Sequence, residues 1–278
     1  MEKKQKKRRL SSILIFILIL SFNQNILFGE DVSSENELNK EFFLKFGEDF
    51  KETLFSPKDW RKSDFLKFSA VISTGLLFYA CDQEIHDWMQ DSRSPASDDI
   101  SEVVTHFGHG AFLAGLIAAL YASGEFSDND DLRKTALLSL ESWVTSGVIV
   151  LGLKFVTGRA RPKTGEPKSS FHLFSTKSSF HSFPSGHASS AFAVATIIAD
   201  QSEETFVDIL AYSLATLVAL SRIHNNKHWA SDVFIGSAIG FFVAKKIYAL
   251  NQNQNKEEFR IGFGFNKRSQ SISFSLSF

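Results

Sequence analysis

Three short stretches of this 278-residue chain gather side chains that could hold and transfer an anionic group. In the first, Lys154 is followed after six residues by Arg161 and Pro162, with Arg159 between them. A lysine offers a phosphate a point charge and an arginine a planar two-pronged fork, while proline ends a helix and fixes the direction of its exit. The same residues would also suit a cationic helix end facing the negative pole of its own dipole. The second stretch runs Ser182, Phe183, Pro184, Ser185, Gly186, His187 and leads into an Ala-rich apolar run. Ser185 stands where a helix N-cap belongs and Gly186 allows close backbone approach, so the amides there could receive anionic oxygens, with His187 in the same turn. Capping alone would explain the serine. The third stretch carries Ser221, Arg222, His228 and Asp232. With Asp232 four residues after His228, a helix would put both on one face, and a carboxylate held on one imidazole nitrogen activates the other. A surface His–Asp pair is the plain alternative.

The rest of the composition narrows the chemistry. Lys+Arg 30 against Asp+Glu 31 gives a net charge of −1, so no overall field draws the chain to nucleic acid. The single Cys81 can form no internal disulfide and belongs to no zinc-ligand pattern; it reads as a small buried apolar residue. His106 and His109 have metal-compatible spacing, but no carboxylate or cysteine completes a ligand set. Neither a metal nor another cofactor is expected.

In order and spacing the three stretches together are Lys, six residues, Arg-Pro; then Pro-Ser-Gly-His; then Ser-Arg, five residues, His, three residues, Asp. This resembles the three-part signature of the type 2 phosphatidic acid phosphatase and vanadium haloperoxidase superfamily, over about residues 65–250. The resemblance implies a helical bundle with one phosphate pocket formed by loops at one end. It implies that His228 attacks phosphorus to give a phosphohistidine, that Asp232 orients it, and that His187 protonates the leaving alkoxide and then activates water. Lys154, Arg161 and Arg222 match the phosphate ligands, with Ser185 and Gly186 as hydroxyl and backbone donors. His86, His106, His109, His172, His181 and His224 match no signature position, and Arg159 reads as a solvated charge, with contact to the substrate as the alternative.

The implied reaction is metal-independent hydrolysis of a phosphate monoester or diphosphate, of a lipid or of a small organic phosphate. Candidate substrates are phosphatidic acid, phosphatidylglycerol phosphate, undecaprenyl diphosphate and phosphorylated lipid A. Two other readings stand beside it: oxidation with vanadate in the same pocket, since vanadate mimics trigonal-bipyramidal phosphate, and a noncatalytic phospholipid-binding module of the envelope.

The elements that must position these residues are mainly α. Apolar segments at 65–80, 103–122, 135–156, 188–199, 206–220 and 233–250 are longer than ordinary strands and predict a bundle of about six core helices. Ahead of them, basic residues Lys3 to Arg9 precede the apolar run 10–20, the pattern of a signal peptide or an uncleaved anchor over 1–29. Residues 30–64 form an amphipathic leader, with Phe42, Phe43, Phe46 and Phe50 at helical spacing. Residues 251–278 alternate apolar and polar side chains, which predicts a tail or β-hairpin turning at 266–269.

Export to a bacterial envelope and association with a membrane follow, with the site on the periplasmic side. The number of spans stays open among three arrangements. Glu141 and Asp208 interrupt two segments, and a charge in mid-span costs roughly 2.5–3.5 kcal/mol unless it faces a partner or cavity. If 65–80 spans, the loop after Val156 lies in the cytoplasm; if it does not, that loop returns outside; a dense bundle without spans is the third arrangement.

Overall fold

A computed structural model describes residues 36–257, 261–266 and 269–274. The signal or anchor over 1–29 and the first residues of the leader lie outside the described residues. Among those described, nine α-helices account for nearly all regular structure: α1 (Lys40–Phe55), α2 (Lys62–Ala80), α3 (Asp82–Asp91), α4 (Pro95–Thr105), α5 (Gly110–Phe126), α6 (Asp130–Thr157), α7 (Gly186–Gln201), α8 (Thr205–His224) and α9 (Ala230–Glu257). Two strands follow, β1 (Ile261–Asn266) and β2 (Ser269–Phe274), paired antiparallel with Asn266 opposite Ser269. This is the hairpin its alternation predicts.

Local chemistry sets the boundaries. The side chain of Asn129 caps α6 by accepting from the Leu132 amide at 3.0 Å, and Asp130 and Asp131 fill the first turn, where the helix dipole favours anions. The helix stops at Gly158, whose φ of +57° is the left-handed conformation of a helix C-terminus. A Cβ there would stand 1.7 Å from the His172 carbonyl oxygen, so only glycine lets the following loop fold back onto the helix end.

Helix α7 is the middle of the bundle, packed against α6, α8 and α9. Ala188, Ala191, Ala193, Val194, Ala195, Ile197 and Ala199 are all buried, and these small side chains let neighbours come close. Closest is α9: a Cβ on Gly236 would lie 2.4 Å from the Ser185 carbonyl oxygen, and one on Gly240 2.1 Å from that of Ser189. The two glycines, one helical turn apart, bring the N-terminal ends of α7 and α9 together.

Two departures from the sequence expectation and one added helix matter. The segment at 103–122 is broken: α4 and α5 are separated by the 3-10 turn His106–Gly108 and the pair bends by 56°. Gly108 lies against α7, where a Cβ would meet the Cβ of His187 at 3.1 Å, and the His109 side chain caps α5. The acidic stretch after Cys81 forms α3, bent by 57° from α2. Cys81 itself is exposed, contrary to its reading as a buried apolar residue. Glu141 is 2% exposed and lies against Asp49 of α1, which in turn accepts from the Asn251 amide of α9 at 3.2 Å, so the acid in the apolar helix faces a polar pair, while its Oε1 is buried without a hydrogen-bond partner.

Helices α6, α8 and α9 are long and apolar enough to cross a membrane, and each bent pair adds a span if it crosses as one or forms a re-entrant loop if it turns back. Their outer faces carry exposed apolar side chains, among them Leu151 on α6, Leu217 on α8 and Phe242 on α9.

Candidate active site

The eight residues singled out by the signature converge where α6 ends and where α7 and α9 begin. The last turn of α8 delivers His228. After Asn225, Asn226 takes a left-handed φ of +56°, and the amides of Lys227 and His228 both return to the Arg222 carbonyl, at 3.1 and 3.3 Å. This tight wrap closes α8 and sets His228 just ahead of α9. His228 is 3% exposed, and its Nδ1 lies 2.7 Å from the Ser182 carbonyl oxygen. A carbonyl can only accept, so Nδ1 carries the proton and the lone pair sits on Nε2.

Asp232 departs from the expected arrangement. Its nearest oxygen is 4.0 Å from His228 Nδ1, and the Ser182 carbonyl takes the hydrogen bond that spacing assigned to the carboxylate. The reason is competition. Asp232, fully buried in the first turn of α9, accepts from the Trp229 amide at 2.9 Å, from Ser182 Oγ at 2.5 Å and from Arg159 Nη1 at 2.6 Å. Ser182 thus touches both residues, through its carbonyl to the imidazole and through its hydroxyl to the carboxylate.

Arg159 is 1% exposed, which corrects its reading as a solvated charge. Beyond Asp232 its guanidinium donates to Asp82 at 2.8 Å, to Ser231 Oγ at 2.8 Å and to the Lys168 carbonyl at 3.0 Å. It lies over the rings of Tyr79 and Trp229, at 4.9 and 5.6 Å from their centroids. Asp82, from the bend between α2 and α3, accepts from the Ser231 amide at 2.9 Å and Ser231 Oγ at 2.6 Å, capping the first turn of α9 from 149 positions away. Burying two carboxylates and a guanidinium is tolerable only because almost every lone pair and N–H is matched.

The cations the signature marks are in the opposite condition. Lys154, 8% exposed, donates to the carbonyls of His181 and Pro184 at 2.8 and 2.5 Å. Arg161 reaches the His181 carbonyl at 3.3 Å and Arg222 reaches the Thr105 hydroxyl. Neither arginine has a carboxylate in hydrogen-bond contact, and the Nε of each is buried without a partner. Unsatisfied buried N–H groups are costly, and three cations sharing one space repel; both conditions are relieved by an anion. Ser185 caps α7, its own amide bonded to the Asp232 carbonyl at 2.8 Å, and Gly186 follows with Lys154 Cε 3.8 Å from where a Cβ would be.

The field of these cations reaches both imidazoles. Burial, with Arg222, His109, Arg161 and Lys154, holds His187 down to about 3. Burial, with Lys154, Arg161 and Arg222, holds His228 well below the ordinary imidazole range, against the opposing bond to Ser182. Burial lowers Arg161 as well, with Asp232 opposing. His109, absent from the signature, stands edge-on to His187 with ring centroids 5.9 Å apart. Among the described residues no group of three or more His, Cys, Asp or Glu side chains is placed to hold a metal ion.

Comparison with known proteins agrees with this geometry. The PAP2 superfamily matches residues 135–256. Phosphatidylglycerophosphatase B of Bacillus subtilis is 31% identical over 195 residues, 65% of this chain and 89% of that protein. The chain belongs to the PAP2 superfamily. It is a phosphoric monoester hydrolase of the PAP2 type. Lipid A 1-phosphatase of Rhizobium johnstonii is 30% identical over 203 residues, covering 66% of this chain and 78% of that one. Among solved structures, the transmembrane PAP2-type phosphatidylglycerolphosphate phosphatase from Bacillus subtilis superposes with a TM-score of 0.53 at 23% identity, covering 69% of this chain and 98% of that chain, and shares the PAP2 helical fold.

The PAP2 signature omits several residues that build the site here. Ser182 sits inside a stretch already conspicuous in the sequence. Arg159 shares its stretch with Arg161, and nothing in the sequence says which of the two faces inward. Asp82 and Thr105 carry no local signal, since only the folded chain brings them to Ser231 and Arg222.

Proposed function

We propose that this PAP2 enzyme hydrolyses the phosphate of a membrane lipid without a metal, through a phosphohistidine on His228. The observation that carries the reading is the set of three anion-deficient cations, Lys154 and Arg222 buried and Arg161 half-buried, gathered around two imidazoles. The phosphoryl oxygens would take the open donors of Lys154, Arg161 and Arg222 and the amides at the start of α7, where the dipole is positive. Fixed cations aimed at the equatorial oxygens supply the charge neutralisation that phosphoryl transfer requires.

His228 attacks through Nε2, the nitrogen left free by the bond at Nδ1. The N–P bond forms as the ester P–O bond breaks, and His187 gives its proton to the departing alcohol. In the second step water attacks phosphorus, the N–P bond breaks, orthophosphate leaves and His187 takes the proton from water. Without an anion His187 is neutral. A bound phosphate dianion offsets the three cations that keep it so, and the site thereby arms its acid only when occupied. Asp232 steadies the resulting positive charge on His228 from 4.0 Å and holds Ser182, while Arg159 and Asp82 fix Asp232 and the first turn of α9.

The lipid substrate is supported by the lipid A 1-phosphatase and phosphatidylglycerophosphatase relatives and by the three span-length helices beside the site. We assign the catalytic unit to residues 65–250, with α1 as a brace, and the site to the exported face of a bacterial envelope membrane, on the strength of the signal-like N-terminus and with the bent α2–α3 pair turning back rather than crossing. The test is phosphate release from a panel of lipid and soluble phosphate esters in chelator and without vanadate. Wild type should release phosphate and His228→Ala should not; activity that chelator abolishes, or that survives in His228→Ala, overturns the reading.

A further inference from the structure

The loop joining α6 to α7 does more than carry the signature residues. Its tip exposes Phe171, Leu173 and Phe174, at 46%, 65% and 60%. Phe174 has a φ of +59°, a region bulky residues avoid, so an unfavourable backbone is kept beneath an exposed aromatic ring. The ring packs edge-on against Phe155 of α6, centroids 5.6 Å apart. Phe155 closes an exposed stripe, Val148, Leu151, Phe155, at the spacing of one helix face, on a helix long and apolar enough to cross a membrane. The outer apolar face of α6 therefore continues without a break onto the loop tip.

This tip is held firmly. The His172 amide bonds the Gly158 carbonyl at 2.8 Å, the His172 ring stacks on Phe180 at 3.7 Å and pairs with Glu166 at 2.8 Å, and His181 Nε2 donates to the Ser175 carbonyl at 2.7 Å. Lys163 and Lys177 are exposed on either side, and Glu166, the one acid between them, is occupied by His172. A rigid apolar tip flanked by cations suits the boundary between lipid headgroups and acyl chains.

We propose that Phe171, Leu173 and Phe174 insert into the lipid leaflet that α6 enters, fixing the phosphate pocket at headgroup depth. Phe171 pairs with Arg159 through a backbone bridge and lies 5.8 Å from its guanidinium, so insertion bears on the network that holds Asp232. The proposal deepens the lipid-phosphatase reading and uses its membrane, but not the identity of its catalytic histidine.

The single cysteine makes a clean probe possible. Full-length Cys81→Ser/Leu173→Cys carrying a nitroxide, in vesicles of phosphatidylethanolamine and phosphatidylglycerol, should be reached by oxygen in preference to a water-soluble nickel complex. A label at exposed Glu125→Cys should show the reverse. A Leu173 label as open to nickel as the Glu125 label overturns the proposal, and so does spin–spin broadening, which would mean that a second copy covers the tip. As a second measurement, Leu173→Ser/Phe174→Ser should lose about tenfold in turnover of long-chain phosphatidic acid in vesicles, as expected for two apolar side chains no longer buried. Its hydrolysis of a soluble short-chain phosphate ester should match wild type. Equal loss on both substrates, or on neither, contradicts insertion. Wild type inactive on every ester with a lipid-exposed label would sink the phosphatase reading and leave the insertion standing.

Discussion

Helices α6 and α9 each carry polar residues at two levels, and the levels are built on opposite terms. At one, Lys154 on α6 and Asp232 on α9 join Arg159, Asp82, Arg161 and Arg222 in a region where both signs of charge are buried. Some 20 Å along α6, by the helical rise, Glu141 lies against Asp49, which accepts from Asn251, with no guanidinium between them. There burial, with Glu52 adding to it, raises Asp49 despite Lys45, so the carboxyl group holds its proton more tightly than an exposed one would. The first level uses charge to hold its parts and leaves cations open for an anion; the second buries its carboxyl groups with no guanidinium against them. The difference separates a site from a joint.

The largest effect should come from breaking the balanced charges. Arg159→Met strands Asp82 and Asp232 side by side, and leaving a buried ion pair half-broken costs about 3–5 kcal/mol. Thermal unfolding in detergent should report that loss, with activity down by at least about a hundredfold as Asp232 shifts. Adding Asp82→Asn removes the surplus charge, so the double variant should regain stability over Arg159→Met; strict additivity would mean that the three residues are not one unit.

Next in size is the crossing that holds the two helix starts together. Gly240→Ala drives a methyl to 2.1 Å from the Ser189 carbonyl oxygen, so α9 must move off α7. A loss of about 1–3 kcal/mol should follow, with kcat falling more than KM rises. Unchanged kinetics would show that the pocket does not depend on this contact.

The charge field makes a pH prediction. His187 and His228 bind protons more weakly folded than unfolded, so below about pH 6.5 the unfolded chain binds more protons and stability falls as pH falls, about 1.4 kcal/mol per unit for each imidazole. Stability from this source is whole above that pH. NMR of His187 should show no protonation until about 3 in the free enzyme, and an upward shift on adding orthophosphate. A titration near 6.5 with no response to phosphate would remove the cations from the account.

At the joint the effects should be smallest. Asp49, raised by burial, binds its proton more tightly folded than unfolded, so its contribution declines as pH rises through its folded value. Asp49→Asn should leave neutral-pH stability within about 1 kcal/mol and gain on wild type as pH rises above the ordinary carboxylate range, read as Tm against pH. A large loss at neutral pH would show a charge at work there.

The sequence made the two levels unequally legible. Lys154, Arg161, His187, Arg222 and His228 were legible because their three stretches together resemble a superfamily signature, where each stretch alone had a plain alternative. Six helices could be read from apolar runs, since length separates them from strands. What was hidden is long-range. Arg159 and Arg161 differ by two positions and face opposite fates, which only the fold decides. Asp82 lies in an acidic stretch that looks solvated, yet it caps α9. The spacing of His228 and Asp232 put them on one side of a helix but could not foresee that Arg159 and Ser182 would claim the carboxylate. The break at His106–Gly108 was masked by apolar residues on both sides.

The central claim is that His228 Nε2 becomes covalently phosphorylated. Rapid acid-free quenching of the enzyme turning over a labelled aryl phosphate, followed by peptide mapping, tests it directly. Label should be found on the peptide containing His228, stable to alkali and lost in acid. It should increase in His187→Ala, where water is no longer activated, and vanish in His228→Asn. Label on another residue, or none in a His187→Ala enzyme that still releases the aryl alcohol, would contradict the account.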